Sequence, residues 1–329
     1  MILGKYDIVL LYSGGLDSKL AGAILTELGL KILGVKFLHP FSTGLWRPED
    51  KLIKNTEPFD ILEKKIGNDY LDIIKKPRYG YGANANPCID CKIYFLKQAQ
   101  VIAEQVNAEG LATGEVLGQR PFSQRKDALK LIERQAGLEG KIVRPLCAKL
   151  LPPSKLELSG LVDREKLFAI KGRGRKVQIE LAKKFGITDY PSPAGGCLLT
   201  DPGYAKRFFD ALEHNEITLE TTQLLKFGRH FRIHNRKIVV GRNEYENSLL
   251  TDYLSENKKV LSPVSIPGPT ALVDSNSSSE IENIAASIVA RYCKTKNPKI
   301  DVKILYPDGS EKTVSATSID PVLLDEYII

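Results

Sequence analysis

Ser13-Gly14-Gly15-Leu16-Asp17-Ser18 is the densest concentration of phosphate chemistry in the chain. Two adjacent glycines let the backbone turn tightly and bring N–H groups against an anion. The helical pattern that follows, with Leu20, Ala23, Ile24 and Leu28, adds its N-terminal dipole. Ser13 and Ser18 can donate hydroxyl hydrogen bonds to phosphate oxygens. Asp17 is a poor direct partner for phosphate, because like charges repel, and a natural ligand for Mg2+. No G-K-[ST] follows, so the loop is not of the Walker type.

Cys88 and Cys91 form a second reactive group, a C-x-x-C in the first turn of a predicted helix with Asn86 as N-cap and Pro87 at the first helical position. The helix dipole there favours thiolate over thiol. Cys197 lies in Pro193-Ala194-Gly195-Gly196-Cys197, a glycine-flanked loop able to fold back toward the sheet edge. Cys147 and Cys293 read as small buried hydrophobes. The trio Cys88, Cys91 and Cys197 leaves three readings open on its residues alone. One is a zinc site, short of a ligand unless Asp90 or Cys147 supplies the fourth. Another is a metal-free pair, Cys88 and Cys197, one carrying a persulfide and the other resolving it. The third is a [4Fe-4S] cluster held by three thiolates, with one iron left open to exogenous sulfide.

Cations gather in two places. Lys171-Gly172-Arg173-Gly174-Arg175-Lys176 has four in six residues, with flexible glycine spacers ahead of a helix. Further on, Arg229, His230, Arg232, His234, Arg236, Lys237 and Arg242 crowd one predicted hairpin, with Phe227 and Phe231 interleaved. On a strand, Arg232, His234 and Arg236 share one face while Phe231 and Ile233 share the other. A solvated cationic face of that kind is expected to contact nucleic-acid phosphates.

These groups need elements to hold them. Tyr6–Tyr12 reads as a buried parallel strand ending at the phosphate loop, and Lys31–Leu38 as the next strand, so the two make a βαβ unit. Pro40–Pro58 reads as irregular, Asp60–Ile66 as a short helix, and Tyr70–Ile74 as a strand. The periodicity of Ile93, Leu96, Ala99, Ile102, Ala103 and Val106 carries the cysteine helix to about Val106. Gly110–Thr113 and Ile142–Arg144 read as further strands, and Lys176–Phe185 as an amphipathic helix. Three prolines and three glycines in Tyr190–Gly203 mark a loop crossing a domain boundary. Beyond it, a hairpin over Arg229–Arg242 turns at His234-Asn235-Arg236. A helix at Glu280–Cys293 starts behind the polar cluster Asn276–Ser279, and Lys299–Tyr306 reads as a strand. This is a small α+β module.

The chain has 329 residues, enough for two domains, divided by this reading into 1–200 and 205–329. Its 43% hydrophobic and 26% charged residues exclude wholesale disorder. No apolar run approaches the roughly 18 residues of a membrane helix, and the N-terminus has no basic region with a cleavage site. No membrane association and a cytoplasmic location are expected. The net charge of +7 permits a polyanionic partner, and five cysteines do not make a disulfide framework.

SGGLDS between strand and helix resembles the PP-loop of the ATP pyrophosphatases, enzymes that adenylate an oxygen and release pyrophosphate. The resemblance implies an α/β, adenine nucleotide α hydrolase-like (Rossmann-like) parallel sheet. It also implies that Ser13, Gly14, Gly15, Asp17 and Ser18 hold ATP and Mg2+, with adenosine at the next strand ends, Val35, Lys36 and Phe37, and Thr113 and Gly114. Thr113-Gly114-Glu115-Val116-Leu117-Gly118-Gln119, Ser123-Gln124 and Arg144-Pro145-Leu146 then resemble the tRNA 4-thiouridine synthetases over roughly residues 5–200, and this adds Gln119 to the ATP site. Val116 stands where that family has serine, and Pro121-Phe122 where it has small residues. Its THUMP RNA-binding region has no counterpart in the sequence, so RNA docking is expected from another part of the chain.

Cys88, Cys91 and Cys197 resemble, by spacing, the three cysteines of cluster-dependent 2-thiouridine synthetases, and Asn86-Pro87-Cys88 is similar to the N-P-C of bacterial 2-thiouridine enzymes. Lys237–Leu250, with Gly241, Arg242, Asn243, Glu246 and Asn247, resembles the NFACT-R RNA-binding module of ribosome quality-control factors.

Together these resemblances imply an ATP-dependent tRNA sulfurtransferase. Asp17, Cys88 and Cys197 would be catalytic, and Cys88, Cys91 and Cys197 would hold a [4Fe-4S] cluster, with zinc or no metal as alternatives. Lys171, Arg173, Arg175, Lys176, Arg232, Arg236 and Arg242 would hold RNA. The implied partners are tRNA and a sulfur donor, either sulfide or a cysteine desulfurase. The oligomeric state is open. Two other functions fit the same residues: a PP-loop enzyme that adenylates a small molecule, and a non-catalytic RNA-binding factor that senses a nucleotide.

Overall fold

A strand covered on both faces must be apolar at every position, and Ile8–Leu11 meets this condition, with Ile8, Val9 and Leu10 fully buried. In the computed structural model, which describes residues 4–43, 49–54, 56–191 and 196–329, this segment is β1. The chain divides into two compact units, Met1–Asp201 and Pro202–Ile329.

In the first unit β1 lies inside a six-stranded sheet, with β2 (Ile32–Leu38), β3 (Lys51–Ile53), β4 (Asp60–Lys65), β5 (Gly110–Thr113) and β6 (Ile142–Val143) in the order β3-β4-β2-β1-β5-β6. All neighbours are parallel except β3, which is antiparallel on the edge. The helices are α1 (Leu16–Glu27), α2 (Asn68–Lys75), α3 (Cys88–Gln105), α4 (Lys126–Ala136), α5 (Lys155–Leu158) and α6 (Lys176–Lys184). Ile8 and Leu10 pack with Leu20, Ile24 and Ala182 of α1 and α6 on one face. Val9 and Leu33 pack with Leu96 and Ile102 of α3 on the other. Each of these valine, leucine and isoleucine side chains contributes about 1.5–3 kcal/mol of transfer free energy. The chain steps outward from β1 to β2 and β4, then returns to the other side for β5, so strand order reverses between β1 and β5. Leu11 is level with Val35 and with Thr113, which opens a crevice at the carboxyl ends of these strands, where such sheets bind ligands.

The structure corrects three element assignments around the cysteine helix. Asp60–Lys65 is a strand, because Ile61, Leu62 and Glu63 are buried in succession on both faces of the sheet, and Glu63 bonds Lys36 on the neighbouring strand. The following segment is a helix, with Tyr70, Leu71 and Ile74 on one buried stripe. Lys51–Ile53, within a stretch expected to be irregular, adds the edge strand. Pro87, not Asn86, occupies the N-cap of α3, one residue later than expected.

The second unit is built on an antiparallel sheet, ordered β12-β11-β9-β10-β8-β7. Its strands are β7 (Arg229–Ile233), β8 (Arg236–Val240), β9 (Lys258–Pro263), β10 (Ala271–Asp274), β11 (Lys299–Leu305) and β12 (Glu311–Thr317). The helices are α7 (Pro202–Glu213), α8 (Leu219–Leu224), α9 (Glu244–Asp252), α10 (Ser279–Tyr292) and α11 (Pro321–Tyr327). The expected hairpin forms, turning at His234 in the left-handed region (φ 51°). Ser278 caps α10 by accepting the Ile281 N–H, and Ile281, Ala285, Ile288 and Val289 cover one sheet face. Leu224 of α8 and Leu250 of α9 cluster with Val239, Val260 and Leu272.

Candidate active site

The phosphate loop joins β1 to α1 at the crevice. Gly14 takes φ +77°, a conformation that L side chains rarely adopt. The Ser18 hydroxyl donates to the Gly15 carbonyl (2.8 Å) and accepts from Ser13 N–H and Ser13 Oγ (both 3.3 Å), so the two serines brace the loop. Asp17 Oδ2 accepts from Gln119 Nε2 at 3.0 Å, whereas its Oδ1 is buried with no hydrogen-bond partner among the described residues. A buried carboxylate oxygen left unmet suits a Mg2+ ligand. Gly114 closes against this turn. A Cβ there would lie 2.5 Å from the Asp17 carbonyl oxygen and 2.7 Å from Ser18 N.

A cavity of about 270 Å³ opens beside the loop, lined by Tyr12, Gly14, Lys19, Lys36, Glu63 and Asp189 among others. Lys36 pairs with Glu63 at 2.9 Å, and Lys19 with Glu57, which also accepts from Tyr12 Oη. The other expected adenosine residues offer less. Val35 is buried in the core, with its carbonyl accepting from Tyr12 N–H, Phe37 stacks on Phe95, and Thr113 Oγ1 donates to Glu115.

Cys88 begins α3 and donates to Asn86 Oδ1 (2.9 Å), while Cys91 lies 3.0 Å from Tyr70 Oη. Asp90 is occupied by the N–H groups of Arg78 and Tyr79. Residues 196–200 are fastened beside them. Leu198 N–H donates to Phe41 O, Thr43 N–H to Gly196 O, Ala85 N–H to Leu199 O, and Asn84 Nδ2 to Thr200 O. Pro193, Ala194 and Gly195 lie outside the described residues.

The three cysteines are close enough to act on one another's charge. Burial raises the Cys91 thiol well above its usual value. The Tyr70 hydroxyl lowers it in part, and Cys197 and Cys88 raise it further. Cys197 is pushed up to about 11, first by burial, against the Leu199 N–H, then by Cys88, with Arg120 pulling down. The expected preference for thiolate is therefore reversed at Cys91, where loss of solvent outweighs the helix dipole. Among the described residues no group of three Cys, His, Asp or Glu side chains is placed to hold one metal ion. A cluster spreads its thiolates over separate irons and does not need them to converge on one point. Three cysteines that act on one another's charge are the donor type that such a cluster takes. Cys147 and Cys293 each donate to a backbone carbonyl.

Sequence reasoning missed a buried ion network behind the site. Glu115 takes Lys92 of α3 and Arg144 beyond β6, and Arg144 also pairs with Glu133 of α4. Burial alone would raise the Glu115 pKa, but Lys92 and Arg144 hold it at about 2. The T-G-E and R-P-L segments pointed to these residues without revealing that they pair. The loop at 119–124 is also more than its motif suggested. Gln119 reaches Asp17, Arg120 lies within electrostatic reach of Cys197, and the Phe122 ring packs on Gly82, in the turn leading to Cys88. Ser123 is fully buried and Gln124 nearly so, yet Ser123 Oγ and Gln124 Oε1 have no hydrogen-bond partner among the described residues.

Lys171, Arg173 and Lys176 are exposed, and Arg175 is half-buried. Lys171, Gly174 and Lys176 line a groove of about 420 Å³ with Phe168, Ala169, Ile170 and Val177. The Gly172 N–H donates to Leu117 O. In the second unit the expected solvated face must be corrected at Arg232. Its side chain is 11% exposed and is held in two forked pairs by Asp210 and Glu216, beside Lys237. Facing carboxylates neutralise it inside the unit, and this pairing across sequence could not be read from strand alternation. Arg236 is 40% exposed and bonds Asn276 Oδ1, and Arg242 is 46% exposed and pairs with Glu246.

Residues 4–149 match the family described as thiamine biosynthesis protein (ThiI), and residues 228–328 match the family described as NFACT protein RNA binding domain. The chain thus joins a PP-loop domain of the first kind to a C-terminal module of the second. No curated protein matches it. A similar solved structure is that of the C-terminal part of the fibronectin/fibrinogen-binding protein from Streptococcus suis, at 15% identity and TM-score 0.28, covering 47% of this chain and 77% of that one. No helix among the described residues is long and apolar enough to cross a membrane.

Proposed function

We propose that the protein is an ATP-dependent tRNA sulfurtransferase, which activates a uridine carbonyl with ATP and replaces its oxygen with sulfur. The observation that carries this reading is the loop at 119–124, which runs from the Asp17 carboxylate to the surroundings of Cys88 and Cys197 within one unit. A carbonyl oxygen is a poor leaving group. Its attack on the α-phosphate of ATP forms a C–O–AMP bond and expels pyrophosphate. A sulfur nucleophile then bonds to that carbon, and AMP departs with the original oxygen and the bonding pair.

In this reading Ser13, Gly14, Gly15 and Ser18 shape the loop around the departing pyrophosphate, and Asp17, steadied by Gln119, would hold Mg2+. Lys36 lines the cavity in which the adenosine would lie. Cys88, Cys91 and Cys197 would hold a [4Fe-4S] cluster. When bound, it supplies an open, sulfur-seeking iron for exogenous sulfide. Cys88 and Cys197 are both half-buried, which keeps a metal-free version available. There, a persulfide on one cysteine gives its outer sulfur, and attack by the other leaves a Cys–Cys disulfide for an external thiol to reduce.

RNA would be held by the second unit, where Arg236 and Arg242 keep exposed guanidinium surface, and by Lys171, Arg173, Arg175 and Lys176 in the first. The residue match to an RNA-binding family over 228–328 supports the former assignment.

The test is anaerobic purification with measurement of iron, acid-labile sulfide and RNA-stimulated pyrophosphate release, alongside Cys88→Ala and Cys197→Ala. About four irons and four sulfides per chain, lost in both variants, are expected together with pyrophosphate release stimulated by bulk unthiolated tRNA. Full thiolation by metal-free protein would transfer the sulfur step to the cysteine pair. Pyrophosphate release indifferent to tRNA would overturn the tRNA reading in favour of a small-molecule substrate.

A further inference from the structure

Arg120 is the residue at which the two halves of the site meet. Its neighbour Gln119 donates to Asp17 Oδ2 at 3.0 Å. Two residues on, the Phe122 ring packs on Gly82, whose N–H donates to Asn86 O just before Cys88. Leu199 and Thr200, following Cys197, are bonded to Ala85 and Asn84 of that same turn. The backbone of Arg120 is locked, with its carbonyl accepting from Gln124 N–H and the Gly118 N–H donating to Gln124 O. Yet its side chain is exposed and makes no hydrogen bond or ion pair with any described residue.

An arginine held so firmly at its backbone and left free at its guanidinium is poised for a ligand. The same loop carries two further groups with no hydrogen-bond partner among the described residues, Ser123 Oγ and Gln124 Oε1, on residues 0% and 6% exposed. A cation with planar donors, standing between a phosphate loop and the cysteines, matches a phosphate oxygen pair.

We propose that the Arg120 guanidinium binds a phosphate group carried into the gap between Asp17 and Cys197. This rests on the functional reading above only for the source of that phosphate. It is either the α-phosphate of the nucleotide, which departs as AMP, or the backbone phosphate of the RNA beside the target base. Arg120 is a positioning residue in both cases, holding the activated carbon in line with the sulfur.

The full-length protein, with Arg120→Gln and Arg120→Lys, is titrated calorimetrically with AMP and separately with bulk unthiolated tRNA. Arg120→Gln is expected to weaken one of these about tenfold, with Arg120→Lys recovering part of the loss and Tm unchanged in both. Weaker AMP with unchanged tRNA assigns the nucleotide phosphate. Weaker tRNA with unchanged AMP, and a salt slope reduced by about one, assigns the RNA backbone. Unaltered affinity for both ligands overturns the proposal. Wild-type protein that binds AMP normally but releases no pyrophosphate with tRNA would sink the sulfurtransferase reading and leave the Arg120 comparison intact.

Discussion

Gly114→Ala isolates the contact between β5 and the phosphate loop. An added methyl would stand 2.5 Å from Asp17 O, 2.6 Å from Asp17 C and 2.7 Å from Ser18 N. All three are backbone atoms, so no side chain can swing aside. Restoring an ordinary contact of 3.4 Å pushes the first turn of α1 and the end of β5 apart by about 0.9 Å. Overpacking of this kind costs about 1–3 kcal/mol. For a unit of this size that lowers Tm by roughly 2–12 °C. The displaced atoms belong to Asp17 and Ser18, and a misplacement near 1 Å lowers the rate about 10²-fold. Gly4→Ala is the control, since among the described residues its Cβ would meet only the flexible end of Lys31, at 3.7 Å. Thermal unfolding and RNA-stimulated pyrophosphate release are measured for both variants. Gly114→Ala with wild-type Tm and rate would refute the claim that β5 braces the loop.

Asp17→Asn should leave Tm unchanged while cutting Mg2+-dependent pyrophosphate release by about 10²–10³-fold, read by varying Mg2+. Glu115 is held at about 2, below the ordinary carboxylate value of 4.5, so its stabilisation is complete above pH 4.5 and fades as pH falls toward 2. That contribution is on the order of 3 kcal/mol. Urea denaturation of Glu115→Gln should show that deficit at pH 7 and a flatter profile through the acid window. Arg232→Ala should destabilise the second unit by about 3 kcal/mol, because Asp210 and Glu216 lose their shared partner. Arg236→Ala should spare Tm and lower the salt slope of RNA binding by about one. An unchanged Tm for Arg232→Ala would show that its ion pairs carry no stability.

Where structure depends on neighbours in sequence, the residues spoke for themselves. The apolar run before SGGLDS, the φ demand at Gly14, the hairpin at His234 and the Ser278 cap are local facts, set by sterics and by hydrogen bonds a few residues apart. The motif Thr113-Gly114 was legible too, although the reason for its glycine, a backbone 2.5 Å away, was not. What escaped depends on distance through space. Asp60–Lys65 and Asn68–Lys75 exchanged their expected identities because a strand covered on both faces loses the alternation that would identify it. Arg232 read as a solvated cation because nothing in its strand announces Asp210 and Glu216, brought to it by α7 and the turn after it. The gathering of Cys197 with Cys88 and Cys91, and the rise of the Cys91 thiol, follow from burial and Coulomb interactions between segments about a hundred residues apart. Those terms vary with separation and solvent exposure, which tertiary packing alone sets.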